Sequence, residues 1–265
     1  MKKFLSLLLC LAMVLSLTGF ALAEAVEETE APTEIVWDEN HETIRLEMDA
    51  EYGEGAKTFT LVTNHQSQVA RCTVHTDEET VGAALLALNI VAGDVGEYGL
   101  FVSTIDGYTA DYSVDGSYWA FYIDGEYSMT GVDSTEINEG STYLFQVEGL
   151  ELEEGTTVTL EEGKNYGLGE KRFAFHVIDG EGNEIAVTVS TDQETVGAAL
   201  AEWNIVAGED SDYGLYIKTV NNITADFNTD GSYWAFYIDG EYAMTGVDST
   251  EINEDSVYTL QVTKG

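Results

Sequence analysis

The sequence predicts an α+β protein built from two tandem modules, each a mostly antiparallel sheet with one helix. Residues 76–147 and 191–262 align without a gap at a constant offset of 115 residues. The repeat unit is therefore as large as a domain. Within each copy, a short stretch of helical periodicity lies between stretches that alternate apolar and polar side chains, the pattern of half-buried strands.

Each copy begins with strands. Residues 43–48, 58–63 and 70–75 alternate in polarity and are rich in β-branched side chains, which favours strands. Cys72 lies at an inward-facing position of the third strand, where the second copy has Val187. We therefore interpret Cys72 as a buried structural thiol and not as a nucleophile.

A helix follows these strands. Thr76 and Glu79 have the spacing of a capping box, and Thr191 and Glu194 repeat it in the second copy. Apolar residues then recur at helical spacing and predict a helix with one buried face. They are Val81, Ala84, Leu85 and Leu88, matched by Val196, Ala199, Leu200 and Trp203.

Strands resume after the helix at residues 99–105 and 214–220. Residues 118–123 form the first arm of a hairpin, because the Asp-Gly pair that follows suits a turn with two positive φ angles. Residues 141–147 close the sheet. The order of strands, one helix and further strands defines two tandem β-grasp-like modules of the α+β class.

The N-terminus predicts export. Lys2 and Lys3 precede an apolar run that ends in the small residues Ala21 and Ala23, as a signal peptide does. We expect cleavage after residue 23 and a secreted, extracellular protein with no integral membrane segment. An uncleaved membrane anchor is the alternative, although the apolar run is short for one.

The repeats set the predicted domain boundaries. Residues 1–23 are the signal peptide, and residues 24–42 form an acidic flexible leader that shows no period. Residues 43–148 are the first module, 149–156 the linker and 157–265 the second module. A linker of this length keeps the modules close together.

Charge excludes one class of partner. The formal net charge is −39 at pH 7. Binding of nucleic acid requires clustered Lys and Arg, so we exclude nucleic acid as a partner. The acidity suits the solvation of a secreted protein, and a dedicated cation or polycation site is the alternative.

The chain resembles a known family in its repeated aromatic string. The segments GLFVSTIDG, GSYWAFYIDGEYSMTGVD and INEG follow the helix in this order. Their order is similar to that in the C-terminal β-domain of transcobalamin and intrinsic factor, whose bacterial relatives are mostly of unassigned function. The resemblance covers residues 43–148 and 157–263. It implies a β-grasp-like domain that helps to hold a soluble ligand, cobalamin in vertebrates, where a large helical barrel completes the site. Two modules in 265 residues leave no room for such a barrel.

Alternation along the strand over residues 118–123 defines a candidate binding face. Trp119, Phe121 and Ile123 share one side and form the more apolar set, so we expect them to face the core. Tyr118 and Tyr122 are then left on the open face.

This open face suits a planar or cyclic ligand. Ala120 would form a shallow floor between the two tyrosines, and Tyr127 would reach over from the other hairpin arm. Cross-strand packing that only stiffens the sheet is the alternative. The resemblance adds the tryptophans as ligand-facing residues. The predicted ligand-binding residues are Tyr118, Trp119, Tyr122, Tyr127, Tyr233, Trp234, Tyr237 and Tyr242.

We predict no metal-binding and no catalytic residues. Residues 226–231 match the first half of a calcium loop, but its twelfth position is Tyr237 instead of Glu. A polar turn is therefore the better interpretation. Motifs of known hydrolases, metalloproteases and phosphate loops are absent from the sequence.

Three functions remain open. The leading one is a secreted, non-catalytic ligand-binding protein whose partner is a small soluble molecule, with a corrinoid such as cobalamin as the first candidate by resemblance. We expect no cofactor, and cobalamin enters only as a ligand. The alternative is a structural or adhesive cell-surface module that binds another protein. An enzyme would need a convergent polar cluster, which the sequence does not display.

Overall fold

The computed structural model describes residues 42–96, 99–211 and 214–265. The predicted signal peptide and all of the predicted leader except Glu42 lie outside the described residues. Within the described part of the chain, no helix is long and apolar enough to cross a membrane.

The two copies have closely similar element orders. The first copy contains β1 (Glu51–Gly53), β2 (Lys57–His65), β3 (Gln68–Thr76), α1 (Val81–Ala87), β4 (Val91–Gly96), β5 (Gly99–Ile105), β6 (Tyr108–Thr109), β7 (Tyr118–Ile123), β8 (Glu126–Tyr127), a 3₁₀ helix (Val132–Ser134) and β9 (Thr142–Glu148).

The second copy adds one short helix to this order. It contains β10 (Asn165–Tyr166), β11 (Lys171–Ile178), β12 (Glu184–Thr191), α2 (Val196–Glu202), β13 (Val206–Ser211), β14 (Gly214–Val220), β15 (Ile223–Thr224), α3 (Phe227–Asp230), β16 (Ser232–Ile238), β17 (Glu241–Tyr242), a 3₁₀ helix (Val247–Ser249) and β18 (Val257–Lys264).

One large sheet runs through both copies. Its strand order is β17-β16-β18-β11-β12-β10-β3-β2-β9-β7-β8, and β1 pairs with β3. The pairs β2–β9 and β11–β18 are parallel, whereas the β2–β3 and β11–β12 hairpins are antiparallel. The sheet is therefore mixed. The segments β4-β5-β6 and β13-β14-β15 form separate three-stranded sheets.

The short strand β10 joins the two copies. It runs parallel to β12 within its own copy and pairs antiparallel with β3 of the first copy, where Tyr166 lies opposite Gln68. The backbone N–H of Gly167 donates to the carbonyl of Ser67 at 2.9 Å. Because these hydrogen bonds cross between copies, the two halves of the sheet are continuous.

Each main helix has only two turns. Thr80 is the N-cap of α1, and its Oγ1 accepts the backbone N–H of Ala83 at 3.3 Å. The predicted capping-box residue Thr76 instead accepts the N–H of Glu78 within the preceding turn. Asn89 has a φ of 54° just after the helix, a left-handed conformation that ends helices. The capping-box prediction was therefore four residues too early.

The predicted fold class is wrong. The described chain is 48% strand and 11% helix, and a twelve-stranded mixed sheet runs through both copies. The protein is therefore mostly β, and not a pair of α+β, β-grasp-like modules with mostly antiparallel sheets. The prediction gave too much weight to a helical period that covers seven residues per copy. Residues 43–48, predicted as a strand, have no regular structure.

The cores of both copies are built around a buried tyrosine. Tyr143 and Tyr258 are 0% and 1% exposed. The Tyr143 ring packs edge-on against Phe59 and stacks with Phe121. Its hydroxyl accepts the N–H of Asn138 and donates to a backbone carbonyl. The aromatic strand β7 is fixed from its inner side by this packing.

Candidate functional site

The predicted site residues lie on the strands β7 and β16, except Tyr127 on β8 and Tyr242 on β17. Trp119 and Trp234 are each 8% exposed and face inward, as the alternation predicts. Their indole Nε1 atoms donate to the carbonyls of Ser103 at 3.2 Å and Lys218 at 3.1 Å. These bonds fix each indole against the strand β5 or β14 of its own copy.

The tyrosines Tyr118 and Tyr122 lie on the other face and share one partner. The hydroxyl of Tyr118 donates to Oε2 of Glu148 at 2.8 Å, and the hydroxyl of Tyr122 donates to Oε1 of the same carboxylate. Ala120 between them is only 1% exposed. The expected shallow floor is therefore closed, and sequence reasoning missed Glu148.

The two copies differ at the position of this carboxylate. Glu148 is paired with Tyr118 across the strands β7 and β9, and the equivalent partner of Tyr233 is Thr263. Because threonine carries no negative charge, the outer faces of the two copies differ in charge at this position. Alignment of the two copies shows this difference between Glu148 and Thr263. It is the one feature of the sequence that could have pointed to Glu148.

The Glu148 carboxylate changes the acidity of its partners. The hydrogen bond to Glu148 is the main cause that raises the pKa of Tyr122 from 10.0 to about 12. The same interaction raises the pKa of Tyr118. A raised pKa in the folded state means that this interaction stabilises the fold below pH 10.0. The stabilisation is lost as the pH rises from 10.0 to about 12.

We expect the substitution Glu148→Thr, which introduces the residue of the second copy, to lower the pKa of Tyr122 toward 10.0. The variant removes both the acceptor and the negative charge that disfavour the phenolate. An alkaline titration followed by phenolate absorbance would show part of the signal moving to lower pH. Glu139→Gln, an exposed carboxylate elsewhere, is the control. Identical titration curves for wild type and Glu148→Thr would contradict the pairing.

Each copy has an aromatic cleft on the Trp side. In the first copy it measures about 150 Å³ and lies between β5, β7 and the chain after β8. It is lined by Leu100, Phe101, Val102, Trp119, Phe121, Tyr127, Ser128, Thr130, Gly131, Val132 and Phe145. The second cleft measures about 190 Å³, and its lining residues occupy the equivalent positions. We call these the two aromatic clefts.

Exposed aromatic residues are among those that line the aromatic clefts, and we call them the rim residues. Phe101 is 57% exposed and Tyr127 is 54% exposed in the first copy. Tyr216 and Tyr242 take these positions in the second copy and are 37% and 57% exposed. Apolar side chains that stay exposed beside a cleft are typical of binding surfaces. Sequence reasoning missed Phe101 and Tyr216.

The structure therefore divides the predicted site residues into two sets. Trp119 and Tyr127 line the first aromatic cleft, as their equivalents Trp234 and Tyr242 line the second. Tyr118, Tyr122, Tyr233 and Tyr237 do not line either cleft. Tyr122 and Tyr127 touch edge to face at a centroid distance of 5.4 Å, as expected for a residue that reaches over from the second hairpin arm.

In the acidic segments before β7 and β16, the carboxylates accept hydrogen bonds from residues close by in the chain. Asp111 accepts the backbone N–H of Ser113 at 2.8 Å, and Asp230 accepts that of Ser232 at 2.9 Å. The hydroxyl groups of Ser113 and Ser232 donate to the same carboxylates, and these bonds, followed by the backbone ones, lower the pKa of both aspartates. Across the described ranges, no three His, Cys, Asp or Glu side chains are grouped closely enough to hold a metal ion.

Cys72 is a buried thiol, as the sequence predicts. Its side chain is 2% exposed on the strand β3. Burial is the largest cause that raises the pKa of Cys72 to about 12. Because the thiolate is the nucleophilic form, a thiol with this pKa is unreactive at neutral pH.

Comparison with known families finds the repeat again. Residues 78–149 and 193–263 each match DUF4430, a family described as a domain of unknown function. These two segments include α1, α2 and both aromatic clefts. No curated protein matches the chain.

Two solved structures are similar to part of the chain. A protein of Ruminococcus gnavus ATCC 29149, described as a candidate metal-binding protein, is 32% identical. That match covers 36% of this chain and 99% of the other, with a TM-score of 0.35. Haptocorrin in complex with Cbi is 20% identical over 36% of this chain and 25% of its own, with a TM-score of 0.27. At these TM-scores neither likeness indicates what this chain binds.

Proposed function

The chain belongs to the DUF4430 family, and from this premise we propose that it is a secreted, non-catalytic protein that binds small flat or cyclic ligands in its two aromatic clefts. The observation that carries the proposal is the cleft itself, which has the same architecture in both copies. A buried tryptophan, fixed by a hydrogen bond, forms part of the wall, and exposed aromatic residues also line the cleft.

The size of the aromatic clefts limits how a ligand binds. Their volumes of about 150 and 190 Å³ are below the roughly 300–1,000 Å³ of sites that enclose a drug-sized molecule. A larger ligand therefore inserts only one edge or one ring, and the rest stays in water. We expect an affinity per cleft on the order of micromolar. A ligand or surface that reaches both clefts would gain roughly 10²–10⁴ in avidity.

Corrinoids are the first ligands to test. The choice rests on the resemblance of the repeated aromatic string to the β-domain of transcobalamin and intrinsic factor. A corrin ring carries methyl groups between its polar amide side chains, and these methyl groups suit contact with the exposed rings of Phe101 and Tyr216. Its bulk is consistent with partial insertion into a small cleft.

We expect cobalamin to bind the intact protein saturably and the double variant Phe101→Ala with Tyr216→Ala at least about tenfold more weakly. Both side chains are exposed, so their removal deletes ligand contacts at little cost to folding. The measurement is a titration followed by corrin absorbance and tryptophan fluorescence.

The double variant Tyr112→Ala with Phe227→Ala is the matched control, because these exposed aromatic residues also occupy equivalent positions and do not line either cleft. The absence of a saturable signal up to millimolar cobalamin would reject the corrinoid ligand. Equal binding by wild type and the cleft variant would reject the clefts as its site.

A structural or adhesive role is the second candidate function. Met129 and Met244 are 92% and 94% exposed and lie two residues after the rim residues Tyr127 and Tyr242. Exposed methionines adapt to different partner surfaces. If no small ligand binds and the cleft variant fails to attach to a surface that wild type binds, the aromatic clefts hold another protein.

A further inference from the structure

A polar cavity lies where the two copies meet, away from the aromatic clefts. It measures about 460 Å³. The first copy contributes residues 46–48, the start of β3 and Asp106, and the second contributes residues 162–165, Arg172 and Thr188. We call it the junction cavity. Its volume is within the range of roughly 300–1,000 Å³ that is typical of small-molecule sites.

The wall of the junction cavity contains a buried carboxylate. Asp106 is 2% exposed, and its Oδ1 accepts the backbone N–H of Leu46 at 2.6 Å. Nζ of Lys164 lies 3.9 Å from Oδ1, and Nε2 of His65 lies 3.9 Å from Oδ2. Both distances are too long for direct hydrogen bonds. A hydroxyl group or a water molecule between the two atoms can bridge a distance of this length.

The charge of Asp106 is not required by the local fold. The equivalent residue of the second copy is Asn221, whose Oδ1 accepts the backbone N–H of Leu160 at 2.8 Å. Asp106 and Asn221 have almost the same φ, 52° and 50°. A neutral amide therefore supports the same turn. Burial of a carboxylate is unfavourable unless donors satisfy its lone pairs, so the first copy keeps, where the cavity lies, a buried carboxylate that its turn does not need.

Further polar groups around this carboxylate lack partners. Gln68 is 4% exposed, lines the junction cavity, and has no hydrogen-bond partner for Nε2 among the residues that the structure describes. His65 does not line the cavity, but its Nε2 is close to Asp106, is in a side chain that is 5% exposed, and also lacks a hydrogen-bond partner among the described residues. Unsatisfied polar groups of this kind are rare in folded proteins. They are expected where a ligand or water completes the hydrogen bonds.

We propose that the junction cavity binds a small neutral polyhydroxylated molecule of monosaccharide size. A hydroxyl group can donate to the Asp106 carboxylate and at the same time accept from the Lys164 ammonium. Leu46, Met48 and Val69 also line the cavity and suit the apolar C–H groups of a sugar ring.

The charges around the junction cavity favour a neutral ligand. The cavity is lined by three acidic side chains, Glu47, Asp106 and Glu162, and by two basic ones, Lys164 and Arg172. These charges nearly cancel, so a charged ligand would gain little net attraction and would still have to lose its hydration. The net charge of the whole chain, −39, further disfavours anions by long-range repulsion.

The test uses the full chain with glucose, galactose, mannose and N-acetylglucosamine as probes, followed by isothermal titration and saturation-transfer NMR. We expect saturable binding of at least one hexose. Asp106→Asn keeps the acceptor for Leu46, as Asn221 does for Leu160, and should weaken binding roughly 10-fold to 100-fold through the loss of a charged hydrogen-bond partner. Lys164→Met should weaken it similarly.

Glu139→Gln removes one exposed carboxylate elsewhere and should bind like wild type. The aromatic-cleft variant Phe101→Ala with Tyr216→Ala should also retain hexose binding, so this site can fail or succeed independently of the proposed function. Thermal melts check that each variant is folded. The proposal is overturned if no hexose binds up to about 50 mM, or if both junction variants bind as tightly as wild type. If glycine or alanine binds, Asp106→Asn weakens that binding, and no hexose binds, the proposed class of neutral polyhydroxylated ligands is wrong.

Discussion

Replacing Tyr143 with alanine will lower the free energy of unfolding by about 3–5 kcal/mol. The ring is fully buried, with centroids 5.1 Å from Phe59 and 6.0 Å from Phe121. Its hydroxyl also accepts the N–H of Asn138 at 2.9 Å and donates to the carbonyl of Glu136 at 3.2 Å. The variant therefore leaves a cavity in the core and two backbone groups without their partner.

Chemical denaturation followed by tryptophan fluorescence measures this loss. Tyr143→Phe is the matched control, because it keeps the ring and removes only the hydroxyl. We expect it to cost about 1–3 kcal/mol. Tyr258→Ala should behave like Tyr143→Ala, since Tyr258 makes the same contacts to Phe173, Phe236 and the N–H of Asn253. A loss below about 1 kcal/mol for Tyr143→Ala would show that the ring does not organise the core.

The hairpin and the closing strand could be predicted because their signals are local. Alternation placed β7 at Tyr118–Ile123, and the Asp-Gly turn placed β8 directly after it. The pattern also gave the correct side for Trp119 and Phe121, both buried. Period-two alternation is a property of a single strand, so it needs no knowledge of neighbouring strands.

The pairing of strands could not be predicted from these patterns. The parallel pair of β2 and β9 joins Thr60 to Thr142, and no local sequence feature identifies partners so far apart. The antiparallel contact between Tyr166 and Gln68 depends on a strand of two residues, too short to show any period. These two non-local pairings turned two expected modules into one continuous mixed sheet.

The candidate site was predicted only in part, because it also depends on a contact between strands that local patterns do not show. The aromatic string predicted a site on β7. The aromatic cleft, however, forms where β5 packs beside β7, and β5 supplies Phe101. Phe101 is an exposed apolar residue on an alternating strand, and alternation alone does not distinguish it from a solvated position. The repeat offered the missing signal, because an aromatic residue, Tyr216, recurs at the same place.

Gly93→Ala will destabilise the first copy by about 3 kcal/mol and distort its aromatic cleft. Gly93 lies at a bulge where β4 pairs with β5. A Cβ atom there would lie 1.9 Å from the carbonyl oxygen of Phe101 and 2.9 Å from Cα of Val102. Both contacts involve backbone, which cannot rotate away as a flexible side chain can, so overpacking carries a cost at the upper end of its usual range.

The clash between the new Cβ atom and the backbone of Phe101 also affects binding. The strand β5 must shift to relieve it, and β5 carries Phe101, which lines the cleft. Gly96→Ala is the matched control on the same strand, since the nearest atom to its Cβ would be 4.0 Å away. Denaturation measures the stability of both variants, and the cobalamin titration measures the cleft. We expect Gly96→Ala to stay close to wild type in both. If Gly93→Ala were as stable as Gly96→Ala, β4 and β5 would not approach each other as closely as the structure shows, and the cleft wall that depends on this approach would have to be reassigned.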